Sequence, residues 1–291
     1  MKVCGFTIIR NTIKYDFPVL EAIESILPIC DKFIVLVGNS DDETLELMKS
    51  IKSDKIEIHQ SVWDDTLRVG GQVLAVETNK AFDLIPSEYT WAFYIQADEV
   101  VHEKYLQTIQ KEMQTYAENP KIEGLLFNYV HFYGNYDYVG DERGWYRREI
   151  RIIKNDKAIR SWRDAQGFRK NNRKLNVKHI NAEVFHYGWV KDPKTMLRKA
   201  TDVSKFWNDD QTLEKKASNA EAFDFTNKYS VALFNGTHPN VMQARIARKN
   251  WKVELDVTRK NLTLKRKILY YYEKLTNHRP FEYKNYKIIK L

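Results

Sequence analysis

Residues 91–99 read Trp-Ala-Phe-Tyr-Ile-Gln-Ala-Asp-Glu, an apolar run that stops on two adjacent carboxylates, Asp98 and Glu99. An apolar stretch of this length fits a strand buried on both faces, as in a parallel sheet covered by helices. In open α/β sheets the ligand crevice lies outside the carboxyl ends of the strands. A carboxylate there can hold a divalent cation or a ribose hydroxyl. Acidic residues also favour the N-terminus of a following helix, so the stretch takes its meaning from the segments around it.

Those segments alternate. Residues 3–10, 33–37 and 56–59 are apolar or β-branched and predict three further strands. Between the first two, Asp16 is placed to cap a helix and Pro18 to enter its first turn, with Val19, Leu20, Ile23, Ile26 and Leu27 on one stripe. Asp41 or Asp42 opens a second helix through Leu45, Met48 and Ile51, and 73–84 has helical spacing. This β-α-β-α order predicts a mostly parallel sheet with right-handed crossovers. After about residue 120 the pattern changes to strands at 124–133, 149–153 and 177–190, and helices return at 193–207. The expected organisation is one α/β domain over 1–244 followed by a basic, aromatic, helical tail over 245–291.

Charge supports that division. The tail holds 14 Lys and Arg against 4 Asp and Glu, a net +10 in a chain of net +8, so residues 1–244 carry −2. It also holds Trp251, Tyr270, Tyr271, Tyr272, Phe281, Tyr283 and Tyr286. Basic and aromatic residues together suit an anionic membrane surface or a nucleic acid. The alternative is a helix whose Ile268, Leu269, Tyr272 and Leu275 pack on the body. The chemistry-bearing turns lie in the nearly neutral body, so a nucleic acid is not the expected partner. There is no Gly-x-x-x-x-Gly-Lys phosphate loop. No apolar segment approaches the roughly 18 residues that span a membrane, and no signal-peptide pattern opens the chain. Cys4 and Cys30 sit in apolar contexts and read as reduced core residues of a cytoplasmic protein.

Three polar segments fall at predicted strand ends: Ile9-Arg10-Asn11, Gly38-Asn-Ser-Asp-Asp-Glu-Thr44, and Asp98. On these residues the chain resembles glycosyltransferases of the family-2 type, which use the GT-A nucleotide-sugar fold. Arg10-Asn11 matches the family's first polar turn. Ser40-Asp41-Asp42-Glu43-Thr44 loosely matches its Ser-Thr-Asp-Gly-Thr, with Asp42 at the Asp position. Asn79 matches an Asn on the helix before the fourth strand. The family's Asp-x-Asp becomes Gln96-Ala97-Asp98, an amide that can bond a hydroxyl but carries no charge. The resemblance covers residues 1–105 well and thins by about 190.

The resemblance implies donor contacts at Arg10, Asn11, Asp42, Asn79 and Gln96. It implies a Mn²⁺ or Mg²⁺ site at Asp98, completed by His186 in Val184-Phe-His-Tyr-Gly-Trp-Val190. It further implies inverting sugar transfer to a saccharide or lipid-linked acceptor in envelope or capsule polysaccharide assembly, while the charge of the tail is what predicts docking at the inner membrane face. A carboxylate base is expected between the fourth strand and His186, where Asp137, Asp141, Glu142, Glu149 and Asp164 lie. Residues 149–155 resemble the family's Arg-containing strand before the base-bearing loop, which selects Asp164. Trp145 and Trp162 are candidates to stack on sugar rings. The competing classes are a metal-dependent nucleotidyltransferase and a nucleic-acid-binding protein acting through its tail.

Overall fold

Four apolar runs form the parallel half of the sheet: β1 (Val3–Ile9), β2 (Lys32–Gly38), β3 (Ile56–Ser61) and β4 (Trp91–Tyr94). Helices α1 (Val19–Ile26), α2 (Thr44–Lys49) and α3 (Gln72–Asp83) connect them. Because side chains alternate along a strand, β1 and β2 feed two separate cores. Val3, Ile9, Phe33, Val35 and Val37 meet α1 and Met48 of α2 on one side. Cys4, Phe6, Ile8, Ile34 and Leu36 meet Val73, Ala81 and Phe82 of α3 on the other. Both cysteines are buried and free, and burial raises their thiol pKa values, that of Cys4 to about 12. This computed structural model describes residues 1–216, 220–226, 229–260 and 262–290.

Beyond β4 come β5 (Glu99–Val101), α4 (Leu106–Thr115), β6 (Gly124–Gly134), β7 (Tyr138–Gly140), β8 (Arg148–Lys154), β9 (Ile159–Trp162), β10 (Gly167–Lys170) and β11 (Arg173–Val190). Strand β8 runs antiparallel between β4 and β6, and β11 is parallel to β6. The resulting order is β3-β2-β1-β4-β8-β6-β11-β10-β9. This is the helix-flanked, mostly parallel α/β sheet expected of a GT-A-like fold. The ends of β1, β2 and β4 open on one side of the sheet, as a single crevice requires.

Two local expectations need correction. Asp16 does not cap α1: it has a left-handed backbone (φ 48°), Pro18 holds the cap position, and the Asp16 carboxylate pairs with Arg245. The fourth strand stops at Tyr94, three residues short of the predicted end. There the chain turns inward because Glu99 is drawn into the core.

The remaining elements are α5 (Pro193–Ser204), α6 (Asp210–Lys216), β12 (Val231–Leu233), α7 (Gln243–Ala247), α8 (Leu264–Thr276) and β13 (Tyr286–Ile288). Helix thus accounts for only part of 245–291. Strand β13 pairs with Leu175–Val177 of β11, Arg245 bonds Glu21, and Lys260, Lys274 and Tyr270 converge on Asp141. The apolar stripe of α8 faces outward: Leu264, Ile268, Tyr271, Tyr272 and Leu275 are exposed, and only Tyr270 is buried. Among the described residues, no helix is long and apolar enough to cross a membrane.

Under the crevice lies a fully buried ion pair. Arg151 donates from Nε and Nη2 to the two Glu99 oxygens at 2.8 and 2.7 Å, and both side chains are solvent-free. Tyr129 Oη and the Gln96 backbone N–H also donate to Glu99, while Arg151 Nη1 reaches the carbonyls of Ile150 and Gln166. Every polar atom is thereby engaged, the condition under which such a pair persists in a core. Removing one partner strands the other charge. Arg151→Met is expected to lower unfolding stability by about 3–5 kcal/mol, read from urea denaturation, and an unchanged midpoint would show the pair to be dispensable.

Candidate active site

The strand-end turns are tied to one another before any ligand arrives. Asn11 takes a left-handed conformation (φ 55°), which Asn tolerates better than most residues. Its amide N–H donates to Ser40 Oγ, and its side-chain oxygen accepts from the Asp41 amide. Thr12 N–H donates to Thr44 Oγ1. Arg10 bonds the Asn39 carbonyl and pairs with Asp65 at 2.7 Å. These links fix the mouth of a cleft of about 570 Å³, within the usual size for a small-molecule site.

Of the residues singled out by sequence, Arg10, Asn11, Gln96, Asp98 and Asp164 line this cleft. Asp42 does not. One of its oxygens caps the Thr44 amide and the other accepts from the Lys14 amide, so it holds the loop while Asp41 faces the cleft. Asn79 is also elsewhere: its side-chain oxygen accepts from Ser161 N–H and pins β9 to α3. Trp145 stacks on His131 with ring centroids 5.0 Å apart, and Trp162 lies outside the cleft lining. The aromatic wall consists instead of Tyr15, Phe17, Trp63, Tyr94, Phe206 and Trp207.

Gln96 donates to the Ala165 carbonyl at 3.3 Å and so links the Asp98 turn to the Asp164 loop. Arg163 and Ala165, on either side of Asp164, both have positive φ (54° and 59°), an uncommon conformation for residues with a Cβ. Five aspartates line the cleft. Asp41 pairs with Lys14, Asp65 with Arg10, Asp98 with Lys199, and Asp202 with Lys14. Asp164 has no ion-pair or hydrogen-bond partner among the described residues, since nearby Arg160 is committed to Asp83. The other base candidates lie outside the cleft lining. Asp141 is bound by tail lysines, Glu142 accepts from Ser230 N–H, and burial raises the Glu149 pKa to about 8.

Asp98 sits deeper. Its Oδ2 lies 3.7 Å from His186 Nε2 and 3.4 Å from Lys199 Nζ. Burial alone would raise its pKa, but His186 and Lys199 overcome this and hold the carboxyl below the usual carboxylate range. A chain of bonds sets the histidine tautomers. His131 is buried, which pushes its pKa down to about 3 and keeps it neutral. Its Nε2 meets the Tyr146 carbonyl, a pure acceptor, and therefore carries the proton. His131 Nδ1 is left to accept from His186 Nδ1–H at 3.3 Å. His186 Nε2 is then the ring atom turned toward Asp98, and such outer bonds orient histidines at a site. Among the described residues no three His, Cys, Asp or Glu gather as a metal cage. Two protein ligands with the rest supplied by water and phosphate is how Mg²⁺-type ions commonly bind at nucleotides. Asp98 lines the cleft and has the carboxylate that such a set uses, while His186, outside the lining, stands 3.7 Å from it.

Sequence reading missed Lys199, Asp202 and Phe206. They lie on α5 and its extension at spacings of three and four, which puts them on one helical face over the cleft.

The strand order and the crevice at its strand ends are those of a GT-A-like α/β fold. No family model and no curated protein matches the sequence. Among solved structures, S. aureus TarS 1-349 in complex with UDP-GlcNAc aligns at 18% identity over 46% of this chain and 36% of that one, with a TM-score of 0.34. Glucosyl-3-phosphoglycerate synthase from Mycobacterium tuberculosis, in complex with Mn²⁺, UDP and phosphoglyceric acid, aligns at 14% over 45% and 43%, TM-score 0.30. The 4-diphosphocytidyl-2C-methyl-D-erythritol synthase from Anaerococcus prevotii aligns at 10% over 69% and 98%, TM-score 0.39. The chain thus spans little more than a third of that TarS structure.

Gly188 tests the geometry around Asp98. A Cβ there would stand 2.5 Å from Asp98 Oδ2 and 2.7 Å from His186 Nε2. Gly188→Ala should cost about 1–3 kcal/mol through overpacking and abolish Mn²⁺ binding in a calorimetric titration. Intact Mn²⁺ binding in a folded variant would separate Asp98 and His186 from any metal.

Proposed function

We propose that the protein is an inverting glycosyltransferase that moves a sugar from a nucleotide-sugar donor to a carbohydrate or lipid-linked acceptor. The observation that carries this reading is the division of labour in one cleft. Four of its aspartates are neutralised by cations, while Asp164 is left free to accept a proton. In the reaction, the acceptor oxygen bonds the anomeric carbon from the face opposite the leaving group. Its proton passes to Asp164, and the bond from carbon to phosphate oxygen breaks with the electron pair staying on the nucleoside diphosphate. Arg10, Asn11 and Asp41 form the nucleoside end, and Gln96 offers an amide to donor hydroxyls while bracing the Asp164 loop. Asp98 and His186 would hold a Mn²⁺ or Mg²⁺ ion, which when bound neutralises diphosphate charge.

Asp164→Asn should lower turnover by roughly 10²-fold or more and leave donor affinity near wild type, because proton transfer occurs only as the acceptor attacks. Product analysis decides the reaction class: nucleoside diphosphate marks sugar transfer, and pyrophosphate marks nucleotidyl transfer.

The acceptor side of the proposal rests on α8. Its exposed Leu264, Ile268, Tyr271 and Leu275 recur at spacings of three and four beside exposed Lys265, Arg266 and Lys267. Such a face suits an anionic leaflet, where each basic residue contributes about 1 kcal/mol. Cytoplasmic assembly of an envelope or capsule polysaccharide on a lipid-linked acceptor would use it. The wild type should co-sediment with anionic vesicles at low salt and lose most of that binding when Ile268 and Leu275 become Ser. Equal partition of the two proteins would remove α8 from the proposal.

A further inference from the structure

We propose that Lys199 is a diphosphate-binding residue, a cation that neutralises Asp98 in the empty cleft and turns to the donor's phosphates when the cleft fills. The inference rests on the glycosyltransferase reading above and adds to it the residue that receives the leaving group. Lys199 projects from α5, whose start is fixed by Pro193 and by Asp192 capping the Lys194 and Thr195 amides. Its ammonium donates to the Gly188 carbonyl at 2.9 Å and to Asp98 at 3.4 Å, and lies 4.7 Å from the Phe17 ring centroid. An ammonium has three N–H donors. Two have these partners, and the residue lines the cleft.

Charge balance gives the cation its role. A divalent ion on Asp98 and two ionised phosphoryl groups leave one negative charge uncompensated in a poorly hydrated pocket. Breaking the sugar–phosphate bond adds another. The other cleft cations are differently placed: Arg10 and Lys14 are engaged by Asp65, Asp41 and Asp202, Arg68 by Asp210, and Lys205 is exposed to solvent beside Asp202. Lys191 is fully buried behind Phe17 on the Asp16 carbonyl. Lys199 is held to Asp98 by a bond longer than the 2.7–2.9 Å of a strong charge-assisted one. Were Asp98 to hold a divalent cation, Lys199 would keep the Gly188 carbonyl and could turn its remaining N–H donors to the phosphates. The same contact makes Lys199 a competitor of metal in the empty protein.

Calorimetric titrations of the full chain with UDP, GDP and ADP, and with the matching monophosphates, test this at saturating Mn²⁺. Lys199→Met should weaken the best diphosphate by about tenfold or more, the scale of one charge-assisted hydrogen bond. It should leave the monophosphate within about threefold, because the lost contact is to the distal phosphate. Mn²⁺ should bind the nucleotide-free variant more tightly than wild type. Equal losses for di- and monophosphate, or no loss, overturn the inference. Lys199→Arg, which keeps the charge, serves if the Met variant does not melt cooperatively. Retained diphosphate affinity in it supports the role, and loss down to the monophosphate level overturns it. If wild type binds none of these nucleotides, the donor reading fails and takes this inference with it. If wild type binds a diphosphate that Lys199→Met binds equally well, only the inference fails.

Discussion

The buried Glu99–Arg151 pair is the constraint around which the catalytic end of the molecule is arranged. A charge in a dry core cannot be left without a partner, so the chain must bring β8 alongside the end of β4 in one register. Glu99 also accepts from the Gln96 backbone N–H, and Arg151 holds the Gln166 carbonyl. The turn that carries Asp98 and the loop that carries Asp164 therefore hang from opposite ends of the same two side chains. Their separation is set by the core and not by surface loops, which is the kind of support a preorganised site needs.

Much of the fold was legible because the first hundred residues obey simple periodicities. Strands and crossovers appeared where apolar runs and helical stripes predicted them, to within a few residues. What escaped had physical causes. Glu99 read only as the carboxylate next to Asp98, and a one-residue step along the chain turns it into the core. Asp42 and Asp41 are indistinguishable by composition, and only the cap on Thr44 decides which of them faces the cleft. Asn79 and Trp145 are polar or aromatic residues engaged in packing, a use that no local pattern announces. Lys199 belongs to a helix a hundred residues beyond Asp98, and such juxtaposition is invisible without the fold.

The cleft carries little net charge, in keeping with the nearly neutral body. Its cations are not in excess; they are held by aspartates that define their positions. The pairs differ in exposure: Asp65 of the Arg10–Asp65 pair is open to solvent, whereas the Asp98–Lys199 contact is enclosed. The histidine relay through His131 to the Tyr146 carbonyl adds direction, since it fixes which nitrogen of His186 is presented.

Strand β13 is only three residues long, yet it pairs with β11 on the side away from β6, as β5 does farther along. Those two short segments cover stretches of the sheet's longest strand that would otherwise offer unpaired N–H and C=O groups. An uncovered strand of that kind is a template for another chain. The final residues therefore act as a guard against self-association. A chain cut just before Tyr286 would lose a buried core side chain and gain a surface open to intermolecular sheet growth.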